Sequence, residues 1–326
     1  MNKVLITTVP FGKVNKKPIR ILEENNISYL INPLNKKLTE DELVEMVSDF
    51  EIIIAGTETI SDKVMSKATN LKLISRVGIG LDSVDLHSAK KRGVSVSYTP
   101  DAPAPAVSEL TIGLALTLLR SVHVSNMDMH KGKWERFFGR RLSKITIGVI
   151  GVGRIGLGVL KHLRGFDCQE VLINDIDNKK NIPDGIQVRW TSKSEIYKKA
   201  DIVTLHLPLT KKTKNLIKRS ELLKMKKDAM IINTSRGGII NEHDLYNVMS
   251  NGHLSGAAID VFDDEPYFGD LNKIKRCILT SHMGSMSEDC RSEMEIKATE
   301  EAVRFIKGLP LEGSVPNEEY EAQELD

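Results

Sequence analysis

Short apolar runs alternate with longer amphipathic stretches along the 326-residue chain. Lys3 to Thr8 predicts a strand, and a helix with Ile19 and Leu22 on its apolar side follows. A short strand is expected at Tyr29-Leu30-Ile31, a helix around Glu40 to Val47, and a strand at Ile52-Ile53-Ile54. Another helix begins near Ser61. Leu71 to Val77 and Val94 to Ser97 predict two further strands. Strands that alternate with helices over short connections imply a parallel sheet covered on both faces. The first part of the chain therefore reads as an open, doubly wound domain of about a hundred residues.

The rhythm breaks at Tyr98 to Pro105, where Pro100, Pro103 and Pro105 oppose both a central strand and a helix interior. This stretch is read as a hinge or linker. A single long helix is then expected from about Ala106 to His130, apolar almost all round between Leu110 and Leu119. Such a helix is buried on more than one side, in a core or at a subunit interface, and the pattern favours the interface. Beyond it, apolar runs at Ile145–Ile150, Val171–Ile173, Asp201–Leu207, Ala229–Ser235, Gly256–Phe262 and Cys277–Ser281 predict a second doubly wound sheet. Helical patterns at Leu157–Leu163, Ser220–Met225 and Asn241–Ser250 lie between some of them, and Glu288 to Lys307 predicts a final helix. The tail after Leu311 is acidic, with no base, and is read as a solvated end.

One junction carries a specific signal. The Ile145–Ile150 run ends in Gly151-Val152-Gly153-Arg154-Ile155-Gly156, and a helical pattern follows. Gly151 permits the tight turn, Gly153 lets backbone approach a pyrophosphate, and Gly156 lets helix and strand pack closely. Phosphates would sit on the N–H groups at the helix start. The next apolar run ends at Asp175, about 20 residues beyond the motif, where an acid meets ribose hydroxyls. Together these elements predict a Rossmann dinucleotide-binding domain. Asp175 favours NAD over NADP because a carboxylate repels a 2′-phosphate, although Lys179 and Lys180 follow closely.

Composition narrows the classes. A net charge of +2 points to neither nucleic acid nor an anionic membrane. No apolar run is long enough for a membrane span, and the N-terminus lacks a signal-peptide pattern. Cys168, Cys277 and Cys290 are widely spaced, without metal-ligand pairing, so no metal is expected and reduced thiols in the cytoplasm are.

Three predicted strands end in polar segments: Asn233 to Gly238, Asp260 to Pro266, and Thr280 to Ser285. In open α/β sheets such ends line the ligand crevice. With Arg76-Val77-Gly78-Ile79-Gly80-Leu81-Asp82, the glycine motif and His206-Leu207-Pro208-Leu209-Thr210, these segments make the chain resemble the D-isomer-specific 2-hydroxyacid dehydrogenases from about Leu71 to Asn317. Within that family Gly132-Lys133-Trp134-Glu135-Arg136 is similar to phosphoglycerate dehydrogenases.

The resemblance implies a Rossmann NAD-binding domain, residues 100–282, inserted into a flavodoxin-like substrate domain formed by residues 1–99 and 283–326. It implies His282 as acid/base, Glu265 as its partner and Arg236 as the substrate arginine. Gly151, Gly153, Arg154, Ile155, Gly156, Asp175, His206, Pro208, Thr234 and Asp260 would hold NAD. The amides of Val77, Gly78 and Ile79 would take the substrate carboxylate. A phosphorylated acid needs further cations; Arg76 and a partner subunit's Arg136 are candidates, with Lys133 and Arg140 behind them. The expected substrate is a small 2-hydroxy or 2-keto acid, D-3-phosphoglycerate before hydroxypyruvate or glyoxylate, and the expected assembly is a homodimer through the 106–130 region. The chain ends soon after its final predicted helix, so a C-terminal regulatory domain is not expected. A nucleotide sensor that keeps this fold is the rival of another class; it has no need of the His282 and Glu265 pair.

Overall fold

The computed structural model describes residues 3–177 and 181–324. Lys179 and Lys180 lie outside the described residues. The chain forms two compact units, Met1–Pro103 with Met286–Asp326, and Ala104–Ser285.

The first unit contains β1 (Lys3–Ile6), α1 (Lys17–Glu24), β2 (Ser28–Ile31), α2 (Glu40–Met46), β3 (Ile52–Ala55), α3 (Asp62–Lys67), β4 (Leu73–Arg76), α4 (Leu86–Arg92) and β5 (Ser95–Ser97). Its strands are all parallel, in the order β2-β1-β3-β4-β5. β1, β3 and β4 are central, and their apolar residues are sealed from water, as expected for a parallel sheet. Helix starts are capped locally. Thr39 and Glu42 form a reciprocal capping box on α2, and Asp85 caps α4.

The second unit begins with α5 (Pro103–Leu119) and α6 (Val122–Met129). Its sheet then builds through β6 (Thr146–Ile150), α7 (Arg154–Leu163), β7 (Glu170–Asn174), β8 (Val188–Trp190), α8 (Lys193–Lys199), β9 (Ile202–Leu205), α9 (Arg219–Lys224), β10 (Met230–Asn233), α10 (Glu242–Ser250), β11 (Gly256–Ile259) and β12 (Cys277–Leu279). Seven parallel strands run in the order β12-β11-β10-β9-β6-β7-β8. The strand order reverses beside β6, so its C-terminal end opens a ligand crevice. The chain returns to the first unit with α11 (Glu288–Ile306) and α12 (Asn317–Glu324).

Four expectations need correction. Pro103 and Pro105 lie in the first turn of α5, where their missing N–H groups cost no helical hydrogen bond. The single long helix is two helices bent by 65°. Ser121 takes a left-handed backbone conformation at the break, which a continuous α-helix does not admit. Most of the apolar surface of α5 is also accounted for inside its own unit: Ile112, Leu114, Ala115, Leu118 and Leu119 pack with β6, β7 and β10 residues in one core. Burying each leucine there contributes about 1.5–3 kcal/mol. No single helix among the described residues is long and apolar enough to cross a membrane.

The acidic tail is docked. Gln323 Nε2 donates to the Leu81 and Val84 carbonyls while its Oε1 accepts from the Leu86 amide. The Tyr320 ring meets His87 edge-on and lies under the Lys90 ammonium, 5.5 Å from its centroid.

Candidate active site

The glycine motif occupies the C-terminal end of β6. Gly151 has φ +92, and a Cβ there would lie 2.2 Å from the His206 carbonyl oxygen. A Cβ on Gly156 would lie 2.1 Å from the Gly151 carbonyl oxygen, so α7 and the turn touch backbone to backbone. At Gly153 a Cβ would meet nothing within 4 Å, so the loop faces open space at the helix start. Among the described residues no side chain caps the N-terminus of α7. That terminus, formed by Arg154 and Ile155, suits a pyrophosphate. Asp175 follows β7; its carboxylate accepts from the Val152 amide at 2.6 Å and the Asp177 amide at 3.0 Å. This fixes the acid against the turn.

His206 and Pro208 follow β9. His206 Nε2 meets Thr204 Oγ1 at 3.0 Å, while its buried Nδ1 has no hydrogen-bond partner among the described residues. Burial pushes the imidazole down to about 3, so it stays neutral and is no base near neutral pH. Thr234, at the end of β10, contacts Thr111 Oγ1 at 2.9 Å. Thr111 spends its only proton on the Val107 carbonyl, so Thr234 is the donor in that contact. The remaining capacity of Thr234 is that of an acceptor.

Arg236, Glu265 and His282 follow β10, β11 and β12, three adjacent strands. Asn233 shapes the first of these turns: its Oδ1 accepts from the Ser235 amide and hydroxyl, and its Nδ2 donates to the Arg236 carbonyl. One Arg236 nitrogen donates to the Ser235 carbonyl at 2.7 Å. Glu265 accepts from the Phe262 amide at 3.1 Å. His282 Nδ1 lies 3.1 Å from Glu265 Oε1 and 2.9 Å from Oε2. A carboxylate only accepts, so Nδ1 carries the proton in this pair and Nε2 is left to exchange one. His282 is partly exposed and sits at φ +49, a conformation rare for a residue with a side chain.

Asp260, read from the resemblance as a cofactor residue, is 1% exposed. Its carboxylate accepts from Thr280 Oγ1 at 2.6 Å and from the Met283 and Gly284 amides, each at 2.9 Å. It therefore faces the histidine loop. The sequence shows an acid at this strand end, yet no local pattern reveals that the loop wraps back onto it.

In the first unit, Arg76 to Ile79 occupy the C-terminal end of β4. The Val77 amide is spent on the Ala55 carbonyl, and the Gly78 amide donates to Thr99 Oγ1 at 2.8 Å. The expectation that all three amides stand ready for a carboxylate is thus corrected, because the fold uses two of them. Among the described residues, Ile79 alone of the three keeps its amide out of a hydrogen bond. Arg76 is buried and donates to the Val77 carbonyl at 2.7 Å, so it braces this loop. Glu58, unread in the sequence, follows the adjacent β3; it is 2% exposed and accepts from the Gly56 amide and the Thr7 hydroxyl.

The remaining cations lie elsewhere. Arg140 donates to Asp201 at 3.0 Å and to the Asp228 carbonyl at 3.0 Å. Thr146, Asp201 and Asp228 mark the N-terminal ends of β6, β9 and β10, the edge opposite the crevice, so Arg140 lies away from it. Lys133 and Arg136 belong to an exposed arm running from Lys131 to Gly139 into that edge. The cysteines offer no nucleophile: burial pushes the Cys168 and Cys290 thiols up to about 11 and Cys277 up to about 12.

Known proteins resemble this chain in sequence and in fold. Residues 112–284 match the family model of the D-isomer specific 2-hydroxyacid dehydrogenase, NAD binding domain. A D-3-phosphoglycerate dehydrogenase of Methanocaldococcus jannaschii is 34% identical over 314 residues, covering 94% of this chain and 58% of that protein. The chain thus spans little more than half of that relative. A hydroxypyruvate reductase of Thermotoga maritima is 31% identical over 279 residues, covering 83% of this chain and 90% of the relative. A solved structure of a Thermus thermophilus protein superimposes with a TM-score of 0.86 at 30% identity, covering 96% of this chain and all of that one. The chain belongs to the D-isomer-specific 2-hydroxyacid dehydrogenase family, and residues 112–284 carry its NAD-binding domain.

Proposed function

We propose that this NAD-dependent oxidoreductase exchanges hydride between nicotinamide and C2 of a short, polar D-2-hydroxy acid. The observation that carries the reading is the Glu265–His282 pair at the strand ends beside Arg236. When bound, NADH supplies the hydride that reduces the keto carbon. Gly151, Gly153, Gly156 and the start of α7 would hold its pyrophosphate, Asp175 its ribose, and His206, Pro208 and Thr234 would border the ring. In reduction, His282 gives the Nε2 proton to the substrate oxygen, and Glu265 keeps Nδ1 protonated and the ring oriented. Arg236 takes the substrate carboxylate with its planar fork.

The expected preference for a phosphorylated acid rested on Arg76 and Arg136. Arg76 is buried and braces its own loop. That leaves the exposed Arg136 as the remaining cation for a phosphate, so hydroxypyruvate or glyoxylate is the first choice.

The second reading is 3-phosphohydroxypyruvate reduction by a homodimer. The arm favours it: Trp134 is 80% exposed and Phe138 fully so, and aromatic surface of this kind is suited to a second copy. That copy would bring Arg136 to its partner's site. NADH oxidation measured with hydroxypyruvate, glyoxylate, pyruvate and 3-phosphohydroxypyruvate decides between them. Preference for an unphosphorylated acid, unchanged in Arg136→Ala, supports the first reading. Preference for the phosphorylated acid, lost in that variant, supports the second. No turnover with any of the four contradicts both.

A further inference from the structure

His282 adopts its left-handed backbone at an exposed strand end, with no glycine to relieve it. Backbone strain of this kind persists only where the surroundings over-determine it. Asp260 supplies the restraint. Its backbone carbonyl accepts from the His282 amide at 2.8 Å, and its carboxylate takes the Thr280 hydroxyl and the Met283 and Gly284 amides. These donors flank His282 on both sides in the chain. One buried residue thus accepts four hydrogen bonds from the segment that carries the imidazole.

We infer that Asp260 is a positioning residue for His282, whose carboxylate locks the 280–284 loop in the conformation that presents Nε2. The inference rests on the reading of His282 as the acid/base. A carboxylate accepts at every site, whereas the isosteric asparagine carries an NH₂ that must face one of these donors. Asp260→Asn therefore leaves at least one of the three donors without its acceptor and changes little else in shape.

The test joins amide hydrogen exchange in the unliganded protein with steady-state kinetics, using Asp260→Asn and, as control, His282→Asn. In Asp260→Asn the Met283 and Gly284 amides should exchange about tenfold faster or more, with the central strands unchanged. Its kcat should fall about 10- to 100-fold while KM for the keto acid stays nearly constant, because a displaced acid/base weakens chemistry more than binding. Should that variant fail to fold, Thr280→Val removes a single donor and should move both readouts about three- to tenfold. Unchanged exchange, or unchanged kcat where His282→Asn has lost turnover, overturns the positioning role and leaves the base assignment intact. Turnover near the wild-type rate in His282→Asn overturns the base assignment itself.

Discussion

The two edges of the seven-stranded sheet are both rich in polar groups, yet they are built differently. At the N-terminal edge, Arg140 and Lys226 both pair with Asp201, Arg140 also reaches Asp228, and Asp201 accepts from the Thr146 amide. Charges there close on one another and on the backbone. At the C-terminal edge, Gly153 faces open space, His206 Nδ1 lacks a partner among the described residues, and His282 is held in a strained conformation with one nitrogen committed. Charge alone therefore does not mark the site. Uncommitted hydrogen-bonding capacity, held by a rigid and locally strained backbone, does.

Substitutions on the two edges should separate cleanly. The largest effect is expected from His282→Asn, a kcat lowered by about 10²–10⁴-fold with NADH affinity retained in a fluorescence titration. Arg236→Gln should lower kcat/KM by about 10- to 100-fold, since it removes hydrogen bonds between charged groups worth about 1.5–3 kcal/mol. Arg140→Ala should do the reverse. Its pair is partly solvated and so worth about 1 kcal/mol, seen as a lower midpoint in thermal unfolding, with kcat unchanged. Rate loss in Arg140→Ala would erase the contrast between the edges.

The last effect concerns pH. The folded-state value of His206 is depressed to about 3 from an ordinary 6.5. The unfolded chain then binds the extra proton first, so this stability is complete above about pH 6.5 and is lost as pH falls toward 3. His206→Asn should flatten the acid side of a plot of thermal midpoint against pH. An unaltered slope would show that the ring is solvated.

Much of this was legible in the sequence for a physical reason. Buried parallel strands such as Ile52–Ile54 and Ala229–Asn233 are continuous apolar runs, and Gly-x-Gly-x-x-Gly records a backbone contact that a side chain would prevent. β8 escaped because Val188-Arg189-Trp190 is a three-residue edge strand with only partial burial. The break at Ser121 escaped because hydrophobic periodicity reports faces and is silent on a single left-handed residue. Arg140 shows the limit most clearly. A cation near the phosphoglycerate-dehydrogenase-like segment reads as a ligand until the register of the sheet places it at the wrong edge. Gln323 and Tyr320 are similar: nothing in an acidic tail announces the groove on α4 that receives it.

The central claim is hydride transfer to C2 with D stereochemistry. It is tested most directly by supplying NADH deuterated at C4 with hydroxypyruvate, then reading the product by NMR and its configuration by chiral separation. Deuterium is expected at C2 of the D-hydroxy acid, in product that forms about 10²–10⁴-fold more slowly when His282 is replaced by Asn. A product without deuterium at C2, or one of L configuration, would contradict it.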